Sequence, residues 1–198
     1  MRRAGPGLAL AGVLSVAGCS YPRLIDEGKV DEPYLQRMID RTSTVRGVPL
    51  AAPLAWELMT DEAQRQKIRA EVAKVDSELQ VDLDVWKAFG LVAPDFGSTQ
   101  IGDLLADQIA AHYDPETKTF YLVDREQDDG LGFTSWLLER DLGAEFIACH
   151  EITHALQDVR YGLERFQEQA ASSDAKLALR AVIEGDATYY GLVAMLDG

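Results

Sequence analysis

In this 198-residue chain, the residues best placed to do chemistry lie in the run His150-Glu151-Ile152-Thr153-His154. On a helix, positions four apart share a face about one turn from each other. Both imidazoles can then reach one metal ion while Glu151 flanks the open coordination position. That arrangement suits hydrolysis by a metal-activated water, and two histidines with a carboxylate suit zinc. The chain has only three histidines, and two of them lie in this motif.

A catalytic zinc usually combines three protein ligands with a water, so two histidines leave one ligand to be found. The long metzincin motif would need glycine at 157 and histidine at 160. The chain has Gln157 and Arg160, which excludes that class. The remaining route is a carboxylate from further along: Glu164, Glu168, Asp174, Glu184, Asp186 or Asp197. Glu164 and Glu168 belong to a polar, surface-type stretch. Glu184 instead interrupts the largely apolar helical run from Ala175 to Leu196, where an unpaired carboxylate is costly and calls for a cation or strong donors.

These residues act together only if helices carry them. Apolar residues at 142, 146, 147, 155, 156 and 159 recur at helical intervals around the motif; Asp141 is suited to cap the start and Gly162 to end the helix. Upstream, residues 34 to 46 read as a helix and 53 to 59 as a strand. Thr60-Asp-Glu opens a charged helix to about 75, and another helix covers 80 to 90. Gln108–Tyr113 and Lys118–Val123 flank Asp114-Pro-Glu-Thr and read as a hairpin with turn chemistry in the middle. Residues 125 to 135 read as a mobile loop; its acids lack the full calcium-loop pattern. The expectation is a mostly helical α+β domain with a small antiparallel sheet or hairpin before the motif helix.

The combination of Tyr113-Asp-Pro-Glu-Thr-Lys-Thr-Phe-Tyr-Leu, His150-Glu-Ile-Thr-His-Ala-Leu-Gln-Asp and Glu184-Gly-Asp-Ala-Thr resembles the gluzincin branch of the zinc metallopeptidases. More narrowly it resembles a group of bacterial metallopeptidase-like proteins, over roughly residues 100 to 195. The resemblance implies a zincin-like fold in which His150, His154 and Glu184 ligate Zn2+ and Glu151 is the general base, hydrolysing peptide bonds. It also implies a sheet edge near the cleft that can pair with an extended peptide or protein substrate. Many gluzincins carry an aspartate four residues after the ligand glutamate. Here that position is Thr188, a candidate to hydrogen-bond a ligand imidazole, with Asp186 the nearby acid, set about 200° around the helix from Glu184. Tyr113, His112, Tyr189 and Tyr190 are available as oxyanion donors, and nothing in the sequence aims any of them. Related enzymes continue beyond the point fourteen residues after Glu184 where this chain stops, which implies a truncated, inactive or partner-completed unit.

The amino terminus has a different layout. Arg2-Arg3 precede the short apolar stretch Leu8–Gly18, as in a secretory signal, and Val16-Ala-Gly-Cys19 resembles the lipobox of bacterial lipoproteins. The resemblance implies cleavage before Cys19 and its acylation, with more than one acyl chain giving stable anchoring. Ser20 after the cysteine is compatible, in a Gram-negative cell, with the outer membrane facing the periplasm. The organisation expected is a signal peptide at 1–18, lipidated Cys19 and tether at 19–33, and a metallopeptidase domain at 34–198.

With Cys19 lipidated, Cys149 has no intramolecular partner, and the domain relies on its core. The whole chain carries a formal charge of −14. Removing the signal takes away Arg2 and Arg3 and no acids, leaving 17 basic residues against 33 acidic, or −16. Such a charge argues against nucleic acid as a partner and against adhesion to anionic headgroups, leaving lipid to hold the chain at the membrane. The sequence thus points to a membrane-anchored zinc peptidase of the cell envelope, of undetermined oligomeric state. The alternative is a catalytically inactive metallopeptidase-like lipoprotein that binds a peptide or protein partner.

Overall fold

The computed structural model describes residues 21–125 and 130–198. The expected signal peptide, Cys19 and the middle of the 125–135 loop, with Asp128 and Asp129, lie outside the described residues.

The chain enters through a two-stranded hairpin, β1 (Ile25–Asp26) and β2 (Lys29–Val30). Its two turn residues, Glu27 and Gly28, both have positive φ, 48° and 72°, the hand of turn that matches strand twist. Leu24, just before the hairpin, is buried in the core, and its N–H donates to Asp141 Oδ2 at 3.1 Å. The expected tether is therefore shorter than 19–33, because apolar Leu24, Ile25 and Val30 pack against the core.

Helix α1 (Glu32–Arg46) is capped by Asp31, which accepts from the Tyr34 N–H, and ends at the left-handed Gly47. Strand β3 (Ala55–Thr60) leads through the Thr60 cap into α2 (Asp61–Lys74), then α3 (Asp76–Ala88) and α4 (Ser98–Gln108). The hairpin β4 (Ala111–Asp114) and β5 (Thr119–Asp124) follows. Helix α5 (Gly132–Leu138) occupies the second half of the expected loop. Helix α6 (Leu142–Tyr161) carries the motif, α7 (Leu163–Glu168) is short, and α8 (Ser173–Leu196) closes the described chain.

The sheet order is β3-β5-β4, so β4 is an edge strand. The hairpin is antiparallel, with Tyr113 opposite Phe120, but β3 runs parallel to β5, with Trp56 opposite Phe120. The expected antiparallel hairpin is present as β4–β5, and the parallel β3 makes the three-stranded sheet as a whole mixed. Strand side chains alternate in direction. His112 meets Gln64 and Lys67 of α2 on one face, and the Tyr113 hydroxyl reaches Asp158 of α6 on the other. The architecture is α+β: α2 on one face of the sheet, and α6, backed by α1 and α8, on the other. The core lies on this second side, around Leu35, Met38, Phe120, Ile152 and Leu156.

Candidate metal centre

Helix α6 starts and stops on its own sequence. Asp141 accepts from the Ala144 N–H, and Gly162 takes the left-handed conformation with φ 67°. Between these caps, Cys149, Ile152, Ala155 and Leu156 are buried, which fixes the rotation of the helix and leaves His150, Glu151 and His154 partly exposed on its remaining faces. Helix α8 is capped by Ser172 and buries Ile183, Ala187, Gly191 and Ala194. Gly191 sits against His150: a β-carbon there would lie 3.0 Å from the His150 backbone nitrogen and 3.1 Å from its Cα. A residue without a side chain at 191 lets the two helices approach closely, seven residues, or about two turns, from Glu184.

The outcome is a triangle of acceptor atoms. His150 Nε2 and His154 Nε2 are 3.1 Å apart, and Glu184 Oε2 lies 3.3 Å from the first and 3.4 Å from the second. Zinc bonds to nitrogen and oxygen are about 2.0–2.2 Å, so two ligands on a tetrahedral zinc are separated by about 3.3–3.5 Å. The donor set and its spacing fit that ion. Comparison with family models, with curated proteins and with solved structures finds no match to this chain.

The partners of His154 fix its tautomer. Gln157 Nε2 donates to the Ile183 carbonyl at 2.9 Å and to Asp186 Oδ2 at 2.7 Å, so its Oε1, 2.8 Å from His154 Nδ1, must accept. The His154 proton therefore sits on Nδ1, and the Nε2 lone pair faces the triangle. Asp186 is held in turn by Arg46, whose Nη2 donates at 2.9 Å and whose guanidinium stacks over Tyr190, 4.4 Å from the ring centre. The chain Arg46-Asp186-Gln157-His154 orients one ligand from three helices. Asp186 reaches the site only through Gln157. Thr188 is exposed, and the imidazole's partner is Gln157 instead.

Charge is concentrated where the atoms converge. His150, followed by His154, holds the Glu184 carboxyl well below the usual carboxylate range. Burial alone would lower the His154 imidazole, but Glu184, Glu151 and Gln157 together raise it. Burial pushes the Glu151 carboxyl up. Glu184 is about half exposed, at 52 %. The cost of burying an unpaired charge is thus not what places it; its position on α8 is.

Glu151 stands on the side of α6 facing the sheet edge. Its Oε2 accepts the Tyr113 backbone N–H at 2.9 Å, and a carboxylate oxygen lies within 4.8 Å of a nitrogen of each histidine. The remaining sequence candidates go elsewhere. The Tyr113 hydroxyl donates to Asp158 at 2.8 Å, and Asp158 also binds Lys118 and the Leu163 amide, pinning the strand to the end of α6. His112 stacks on Tyr121 across the sheet from α6, where burial and then Lys67 push its imidazole down to about 4. Tyr189 is exposed and Tyr190 lies under Arg46. Sequence reasoning missed Gln157, Arg46 and Gly191. Gln157 was open to notice, since it lies three positions after His154 on the same helix face; the contribution from α1 had no local signal.

Proposed function

We propose that this chain is a zincin-like, gluzincin-type zinc peptidase, anchored in the bacterial cell envelope through a lipid on Cys19 and hydrolysing peptide bonds. The observation that carries the reading is the triangle of His150 Nε2, His154 Nε2 and Glu184 Oε2, with edges of 3.1, 3.3 and 3.4 Å. When bound by these three residues, zinc supplies a Lewis acid and lowers the pKa of a water. Glu151 would take the proton from the attacking water and later deliver it to the leaving amine. Gln157 holds the ligating face of His154 toward the centre. The half-exposed Glu184 leaves the site open to a peptide from solvent.

One observation favours a second reading, a noncatalytic envelope lipoprotein that binds peptides. The Tyr113 amide engages one oxygen of Glu151, an arrangement that also serves simply to tie strand to helix. Elemental analysis of the purified chain separates these from a metal-free protein. The expected result is near-stoichiometric zinc, lost in His150→Ala/His154→Ala and weakened in Glu184→Ala. Cleavage of a peptide pool that disappears in Glu151→Gln supports the enzyme. Zinc without cleavage supports the binding protein, and a folded chain that takes up no zinc rejects the metallopeptidase and leaves the noncatalytic lipoprotein that binds a peptide or protein partner.

A further inference from the structure

A cavity of about 580 Å³ lies between β4, the first half of α6 and the β1–β2 hairpin. Ala144, Ile147 and Ala148 line it, and Glu151 lies one turn beyond the latter pair on the same stripe of α6. On the strand side Ala111 lines it, two residues before the Tyr113 amide that holds Glu151. The cavity thus ends about one helical turn along α6, and two residues along β4, from the groups that meet at Glu151.

The groove is apolar inside and acidic at its mouth. Leu24, Ile25, Leu122 and Val123 complete its walls. Around the mouth stand Asp26, Glu27 and Asp124, all exposed, with Arg23 and Arg125. Arg125 is committed to Asp61 and to the carbonyls of Ala106 and Asp107. Arg23 lies over the Tyr21 ring, 5.9 Å from its centre. Lys29 stands opposite Asp26 across the hairpin; among the described residues the two remaining cations, Arg23 and Lys29, are still outnumbered by the three carboxylates. The turn at Glu27 and Gly28 presents two of them on a short hairpin, which limits how far they can move away.

We propose that this groove binds an extended peptide and takes a lysine or arginine side chain, its aliphatic stem against the apolar walls and its charged head among Asp26, Glu27 and Asp124. Long cationic side chains bury their stems on apolar surface while the head stays in a polar rim. A glutamate or aspartate meets repulsion at the same mouth, and a short apolar residue leaves the volume unfilled. The preference rests on the peptide-directed reading of the site and gives that reading its substrate class: peptides with a basic residue close to the bond beside Glu151.

The test uses the full chain in detergent, carrying Glu151→Gln so that captured peptides stay intact. A randomised peptide pool is passed over the immobilised protein and the retained peptides are read by mass spectrometry. Ion pairs at exposed carboxylates are worth about 0.2–1 kcal/mol each, so enrichment of lysine and arginine over the pool should be about two- to fivefold. Asp26→Asn/Glu27→Gln/Asp124→Asn should abolish it, whereas Asp82→Asn/Asp95→Asn/Asp174→Asn, with the same change in net charge away from the cavity, should keep it. Ile147→Trp, which fills the cavity, should reduce capture of all peptides, with circular dichroism reporting that each variant is folded. No basic enrichment, no peptide capture, or equal loss in both triple variants overturns the proposal. The retained peptides are then given to the chain with its native Glu151: enrichment without cleavage leaves this inference standing and removes the peptidase.

Discussion

In the proposed centre, the residues around His154 divide between those that would bind a metal and those that aim the binders. Gln157 cannot reverse its amide without losing both Ile183 and Asp186, so the imidazole it faces is fixed in one tautomer. Groups that orient a metal-binding histidine typically contribute 10–100-fold to affinity, so Gln157→Ala should weaken zinc binding by about that factor while the helix content is unchanged. Competition against a chromogenic chelator measures it; affinity within twofold of the native chain would remove Gln157 from the site. Asp186→Asn should give a smaller loss, because it acts one bond further out. Retention of zinc should also depend on pH with a definite sign. Protons compete with the metal for the imidazoles, and Glu184 and Glu151 favour the protonated His154. Zinc should therefore dissociate as pH falls through the histidine range, and a titration monitored by released metal that stays flat from pH 8 to 5 would contradict the ligand set.

Among the elements, the contact of α8 with α6 decides whether Glu184 reaches the histidines at all. A side chain at Gly191 would meet the His150 backbone, which cannot move aside as a flexible side chain could. Overpacking of this kind costs about 1–3 kcal/mol, so Gly191→Val should lower the melting temperature and weaken zinc binding together. Gly185→Ala, with open space around its β-carbon, should do neither. The elements of this pair were legible in the sequence because their signals are local. Asp141 and Gly162 bound α6 where expected, and the apolar run from Ala175 matches most of α8. The hairpin around Asp114-Pro-Glu-Thr was legible for the same reason. What the sequence hid was non-local. Nothing in residues 55 to 60 specifies pairing with a strand some sixty positions later, or that it would be parallel. Helix α4 escaped because a glycine, Gly97, precedes it in place of a side-chain cap and its strongest apolar residues, Leu104 and Leu105, face outward. That His150, His154 and Glu184 lie together was foreseen from residue types and spacing; the orienting chain from Arg46 required knowledge of which helix lies beside which.

Taken as a whole, the molecule is fastened around charges that acid would discharge. Glu145 is buried between Tyr34, Arg41 and Arg140, which hold its carboxyl below the usual range against the opposing effect of burial. Asp158 is held down likewise, against burial, by Lys118, Tyr113 and the Leu163 amide. A lowered carboxylate pKa stabilises the fold above its unfolded value, and that contribution is lost as pH falls through the folded one. His112 acts in the same direction: its imidazole drops from 6.5 to about 4, so the unfolded chain binds the proton more readily between those values. The melting temperature should decline from pH 6.5 downward and more steeply below about 4.5, the unperturbed glutamate value. His112→Gln should flatten the first part, and Glu145→Gln should destabilise the chain at neutral pH, leaving less to lose on acidification. A slope between 6.5 and 4 that His112→Gln leaves unchanged would contradict the position of His112.

The burial of Leu24 has a consequence for where such a protein could work. With Cys19 lipidated as proposed, only five peptide units separate the anchor from a residue locked into the fold, a leash of at most about 18 Å when fully stretched. The hairpin beside that leash is also a wall of the groove. So anchored, the groove would stay within one small protein's breadth of the bilayer, where the exposed juxtamembrane stretch of a neighbour would be held at far higher local concentration than a target ranging freely through the surrounding compartment.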